Sequence, residues 1–235
     1  MSYSPEPRKG DGPKHSEADA IFLGAGVVIA ILLVDGFFKA WLYQHSPALY
    51  WAFDIAKFVL VPALVLGWLY RSHSVVPARY GLKPFGRGEQ WFRTIGLTLL
   101  LSFLLAVVYH FTSRFGWRIT AAAPAAFSYQ ASVPDGWLHY PVVLYYAATA
   151  GFVEEVFLRG LPLLYLQSRY GNKVNRIAYV AVTSLLFGLI HWENGVPEVV
   201  ATAAFGVVAA VVYLRIRNLW PLIVAHALID VWGFN

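Results

Sequence analysis

The sequence predicts an all-α fold: a polytopic membrane helix bundle of about seven transmembrane helices. Three observations carry this. The chain has 235 residues and is 58% hydrophobic but only 13% charged, whereas a soluble domain carries about 25% charge. Its apolar runs reach the roughly 20 residues that one crossing needs. Its basic residues gather in short loops between those runs, the pattern of cytoplasmic membrane loops. A net charge of +5 alone would suit nucleic acid, but this distribution points to a lipid bilayer and no nucleic-acid partner. With no cysteine, disulfides, thiolate catalysis and thiolate metal sites are excluded.

In chain order, residues 1–18 are rich in Pro, Gly and charge and read as a disordered cytoplasmic tail without a cleavable signal. Residues 19–235 then form a single membrane-embedded domain. The first span runs from about Asp19 to Leu42 and contains Asp35, which is placed near the outer interface, the alternative being a reach to Lys57. The second, about Ala48 to Tyr70, carries Asp54 and Lys57 at i,i+3 as a local ion pair. Residues 71–90 form a basic loop punctuated by Gly and Pro. The third span is about Trp91 to Thr112, followed by a long connection, Ser113 to Tyr140. The fourth covers about Pro141 to Gln167, with Pro162 expected to kink its lower end. The last three cover about Ile177–His191, Val196–Leu214 and Leu219–Phe234. Loop charge places the N-terminus in the cytoplasm and the C-terminus outside, in the cell's inner membrane.

The fourth span holds GFVEEVFLRG, residues 151–160, with Glu154, Glu155 and Arg159 inside an apolar run. Each charge at mid-membrane costs roughly 3 kcal/mol on insertion scales, so it needs a partner or a wet cavity. Glu155 and Arg159 lie one turn apart and account for each other; Glu154 has no such partner. His191 ends the fifth span in FGLIH, and the seventh carries His226 and Asp230 in HALID, again one turn apart. Singly, such histidines are ordinary structural residues. Together these groups can activate water: a buried carboxylate beside a neutral His takes a proton, and a second His donates to an oxyanion. No serine lies in a GxSxG motif, which disfavours a serine protease.

EEVFLR, FGLIH and HALID resemble, in order, the EExxxR, FxxxH and Hxxx(N/D) motifs of the CPBP (CAAX protease and bacteriocin-processing, or Abi) family, and GLKPF at 81–85 is similar to a loop of that family. The resemblance implies an intramembrane endopeptidase related to type II CAAX prenyl endopeptidases, acting on a membrane-associated protein or peptide. It implies that Glu154 and His191 activate water, that Glu155 and Arg159 support them, and that His226 and Asp230 form the oxyanion site. Asp230 departs from the Asn of the prenyl-protease branch. An ionised Asp would repel an oxyanion, so it must be protonated or act by orienting His226. No cofactor is expected. Zinc is the less favoured alternative, because no HExxH is present and adjacent glutamates on a helix do not readily share one ion. The competing readings are a non-catalytic immunity or scaffold protein and a proton-coupled transporter; the lack of an internal repeat disfavours the transporter. Trp192, Trp220 and Trp232 read as interfacial belt residues rather than a substrate groove.

Overall fold

The computed structural model describes residues 12–84, 89–119, 127 and 129–234, and every regular element among them is helical. The helices are α1 (Gly12–Asp35), α2 (Lys39–His45), α3 (Pro47–Ile55), α4 (Val61–His73), α5 (Glu89–Ile119), α6 (His139–Glu155), α7 (Leu161–Tyr170), α8 (Arg176–Leu189), α9 (Val196–Ile216) and α10 (Trp220–Gly233). A π turn, Ala56–Leu60, joins α3 to α4, and a second, Val156–Gly160, joins α6 to α7. The chain is thus a helical membrane bundle. Five segments are long and apolar enough to cross a bilayer: Ser16–Asp35, Pro47–His73, Gln90–Arg118, Gly136–Lys173 and Val196–Ile216. The other two of the seven expected crossings, α8 and α10, have 14 residues each. At 1.5 Å per residue that is about 21 Å, short of a hydrocarbon core of about 30 Å.

Three local features depart from the sequence reading. The helix expected to begin at Asp19 begins at Gly12, and residues 1–11 of the expected tail lie outside the described residues. The span expected to run on to Leu42 stops at Asp35 and turns into α2. Gly36 sits in that turn, where a Cβ would come within 2.8 Å of the Trp192 ring. Around Pro162 the distortion is a widened turn ahead of the proline. Each π turn ends two residues before a proline, Pro62 or Pro162. Proline offers no N–H to the carbonyl four residues back and crowds it, and a widened turn relieves that conflict.

Packing brings the later helices together. α10 lies against α5 and α6, α9 against α8 and α5, and α1 against α4 and α7. Gly151 lets α6 approach α10, for a Cβ there would stand 3.0 Å from the Ile223 carbonyl. At the basic end, the 3-10 turn Pro77–Tyr80 closes under the bundle: the Tyr213 hydroxyl donates to the Tyr80 carbonyl at 3.0 Å and the Leu219 amide to the Gly81 carbonyl at 2.9 Å. The same Tyr80 carbonyl packs against Gly160, where no side chain would fit. GLKPF therefore begins in this latch; its Phe85 lies outside the described residues.

Candidate active site

The site is built on the last turn of α6. Glu154 and Glu155 end that helix, and the π turn that follows carries Arg159, with Glu155 and Arg159 fully buried. Arg159 Nη1 stands 3.2 Å from Glu155 Oε1, the pairing expected from their spacing. The guanidinium also sits over α8, its Cζ 3.8 Å from the centre of the Phe187 ring.

Glu155 Oε1 serves a second partner, His226 Nδ1 of α10, at 3.1 Å. A carboxylate accepts, so Nδ1 carries the hydrogen and the ring's other nitrogen is turned elsewhere. That nitrogen, Nε2, is 3.6 Å from Asp230 Oδ2 and 3.9 Å from Glu154 Oε2. Phe187 and Phe205 flank the imidazole, with ring centres 5.7 and 5.0 Å away. Arg159, Glu155 and His226 therefore form a chain that fixes one histidine in one orientation. Glu154 is only 5% exposed, and its Oε2 has no hydrogen-bond partner.

His191 lies beyond the end of α8, on a loop, and not on the helix where the sequence reading placed it. Its Nδ1 is 2.8 Å from the Phe187 carbonyl. A carbonyl cannot donate, so Nδ1 holds the hydrogen, and a neutral ring keeps Nε2 as a proton acceptor. His191, Glu154, His226 and Asp230 line one cavity of about 200 Å³, large enough for several waters. All six residues singled out by sequence thus gather in one place, four at the cavity and Glu155 and Arg159 behind it. None of Trp192, Trp220 and Trp232 lines the cavity. Among the described residues, no three His, Asp or Glu side chains are arranged to hold a metal ion.

The opposite wall was foreseen only in part. Asp35, at the end of the first span, is 4% exposed and 2.7 Å from Lys57 Nζ, the reach that the sequence offered as an alternative. Lys57 also keeps its local partner Asp54 at 3.1 Å, and Asp54 accepts from the Tyr145 hydroxyl at 2.9 Å. Lys39 stands 3.4 Å from Asp35 and pairs with Glu193, two residues beyond His191. Both ammonium groups reach the Tyr129 hydroxyl, at 3.2 and 3.3 Å. Glu198 faces the cavity too, and the Tyr109 hydroxyl is 2.9 Å from each of its oxygens. The one-turn spacing of Asp35 and Lys39 was a readable signal for part of this; the partners from distant loops had none.

Residues 136–232 match the family model of type II CAAX prenyl endopeptidase Rce1-like proteins. The match bears out the family resemblance and takes in all three motifs, while α1 to α5 lie outside it. No curated protein and no solved structure matches the chain.

Proposed function

We propose that this membrane protein, which carries the Rce1-like region, is an intramembrane endopeptidase that hydrolyses a peptide bond with water activated by Glu154 and His191. One observation carries the reading: Glu154 keeps an unpartnered carboxylate oxygen at a cavity shared with two histidines whose hydrogen bonds leave Nε2 uncommitted. Burying such a group costs several kcal/mol, and unlike Asp35, Asp54 and Glu193 this carboxylate pairs with no lysine or arginine among the described residues.

In this mechanism a water in the cavity gives one proton to Glu154 while His191 Nε2 accepts a hydrogen bond from its other O–H, and the hydroxide adds to the scissile carbonyl carbon. His226, protonated on both nitrogens, holds Nδ1–H on Glu155 and turns Nε2–H to the oxyanion. The proton held by Glu154 then passes to the leaving amine as the C–N bond breaks. Arg159 keeps Glu155 ionised, so that Glu155 can hold His226. Asp230 favours the charged ring of His226 and does not itself touch the oxyanion.

The substrate is a membrane-associated protein or peptide bearing a CAAX-like end or a C-terminal anchor tail. The cavity is lined by residues from the end of α1, the 190–194 loop, the start of α9 and the end of α10, opposite the basic loops. With the basic loops in the cytoplasm, its mouth opens outward, which suits anchor tails of exported proteins over cytoplasmic prenyl peptides. Purified protein and its Glu154→Gln variant, assayed on both peptide classes with bound zinc quantified, test the reading. Cleavage by wild type alone, without stoichiometric zinc, is expected. Equal cleavage by both proteins would leave Glu154 structural. Reporter fusions within 113–140 and 171–176 test the orientation; a cytoplasmic reporter at the first would reverse it.

A further inference from the structure

His191 is the one site residue that stands past the end of its helix, since α8 ends two residues earlier. Its backbone N–H donates to the Gly188 carbonyl at 3.1 Å and its Nδ1 bonds the Phe187 carbonyl, and beyond it the chain runs into the 3-10 turn Trp192–Asn194, away from α8. Two neighbours of His191 are tied to α1 and α2. Trp192 Nε1 donates to the Leu33 carbonyl at 2.9 Å, and its ring packs where only Gly36 leaves room. Glu193, 5% exposed, pairs with Lys39, which is 2% exposed.

Lys39 is itself held: Asp35 lies 3.4 Å away, and Asp35 is fixed by Lys57 at 2.7 Å on the π turn after α3. A buried ion pair of this kind is a poor source of net stability, because desolvation offsets its attraction, but it is intolerant of displacement. It therefore suits the holding of geometry.

We propose that Lys39 and Glu193 are positioning residues for His191, an ion pair by which α2 clamps the histidine's loop over Glu154. The inference rests on the hydrolytic reading, and it extends the working site into helices that precede the matched region. The pair acts through His191 and touches no reacting atom.

The test uses full-length Glu193→Gln and Lys39→Met, the first keeping the side-chain shape. Two readouts are taken: kcat and KM on a cleaved peptide, and the rate at which diethyl pyrocarbonate carbethoxylates each histidine, followed by peptide mass spectrometry. Loss of the clamp should lower kcat at least tenfold with KM changed less than twofold. The same loss should speed modification of His191 severalfold relative to His110 and His139. In a His191→Ala background, Glu193→Gln should lower the residual rate no further. Unchanged kcat with unchanged His191 reactivity overturns the proposal, as does an equal rise at all three histidines, which would mark general loosening. A wild type that cleaves no peptide overturns the hydrolytic reading instead, and the modification rates still decide the clamp.

Discussion

Lys57, the second residue of its π turn, and Arg159, the fourth of its own, are both buried cations, and their surroundings differ in a way that separates tight pairing from open charge. Each is a buried cation on a widened turn that ends two residues before a proline, and each pairs with a carboxylate of its own helix, Asp54 or Glu155. Lys57 is enclosed: it donates to Asp35 and to the Tyr129 hydroxyl and pairs with Asp54 at 3.1 Å. Arg159 has one carboxylate and an aromatic face, and that carboxylate is shared with a histidine. Next to Lys57 no carboxylate lacks a cation, whereas next to Arg159 both Glu154 and Asp230 face only imidazole. Charge that is neutralised on the spot fixes helices. Charge left facing a titratable ring can move a proton.

That comparison can be broken at several points. The largest effect is expected from Glu154→Gln, which should lower kcat by about 10² to 10⁴-fold, the usual contribution of a general base. Its melting temperature should hold or rise, because an unpartnered buried carboxylate is removed. A clear fall in melting temperature would place Glu154 among the holding residues. Lys57→Met should do the reverse, costing about 3–5 kcal/mol of stability by stranding Asp35 and Asp54. Detergent-solubilised unfolding would measure it, and a near-neutral result would undo the contrast drawn between the two turns.

Gly160→Ala is expected to cost about 1–3 kcal/mol, since its methyl must displace the Tyr80 backbone rather than a side chain. Thermal unfolding would show it, and a silent substitution would mean that the latch yields. The smallest effect belongs to Tyr145→Phe, about 1 kcal/mol for one hydrogen bond to Asp54, with kcat unchanged. A large loss of activity there would join the two clusters into one machine.

How much of this was legible follows from distance along the chain. Glu155 with Arg159, His226 with Asp230 and Asp54 with Lys57 are separated by one helical turn, and helical periodicity alone brings each pair together. The Asp35–Lys57 pair could be read only as an alternative, because the two are 22 residues apart on different helices, where no local rule reaches. Glu193 and Tyr129 sit in short 3-10 turns within connections, and only their packing against Lys39 reveals them as its partners. The two short helices also escaped a count based on hydropathy. α8 and α10 are apolar overall and their apolar character runs nearly to both ends, so their lengths depend on where the neighbouring turns fall, and composition does not fix that.

The latch beneath Gly160 bears on the cell's energy supply. A protein that admits water to the middle of a bilayer risks becoming a conduit through which a proton gradient drains. Below the two glutamates, Val156, Phe157, Leu158 and Leu161 are wholly buried, and the Tyr80 carbonyl and the Leu219 side chain close over the turn they build. Among the described residues, an apolar layer thus divides the cavity from the basic end. Water serving the proposed site would exchange through the cavity's own mouth, and this layer would insulate the membrane while it does.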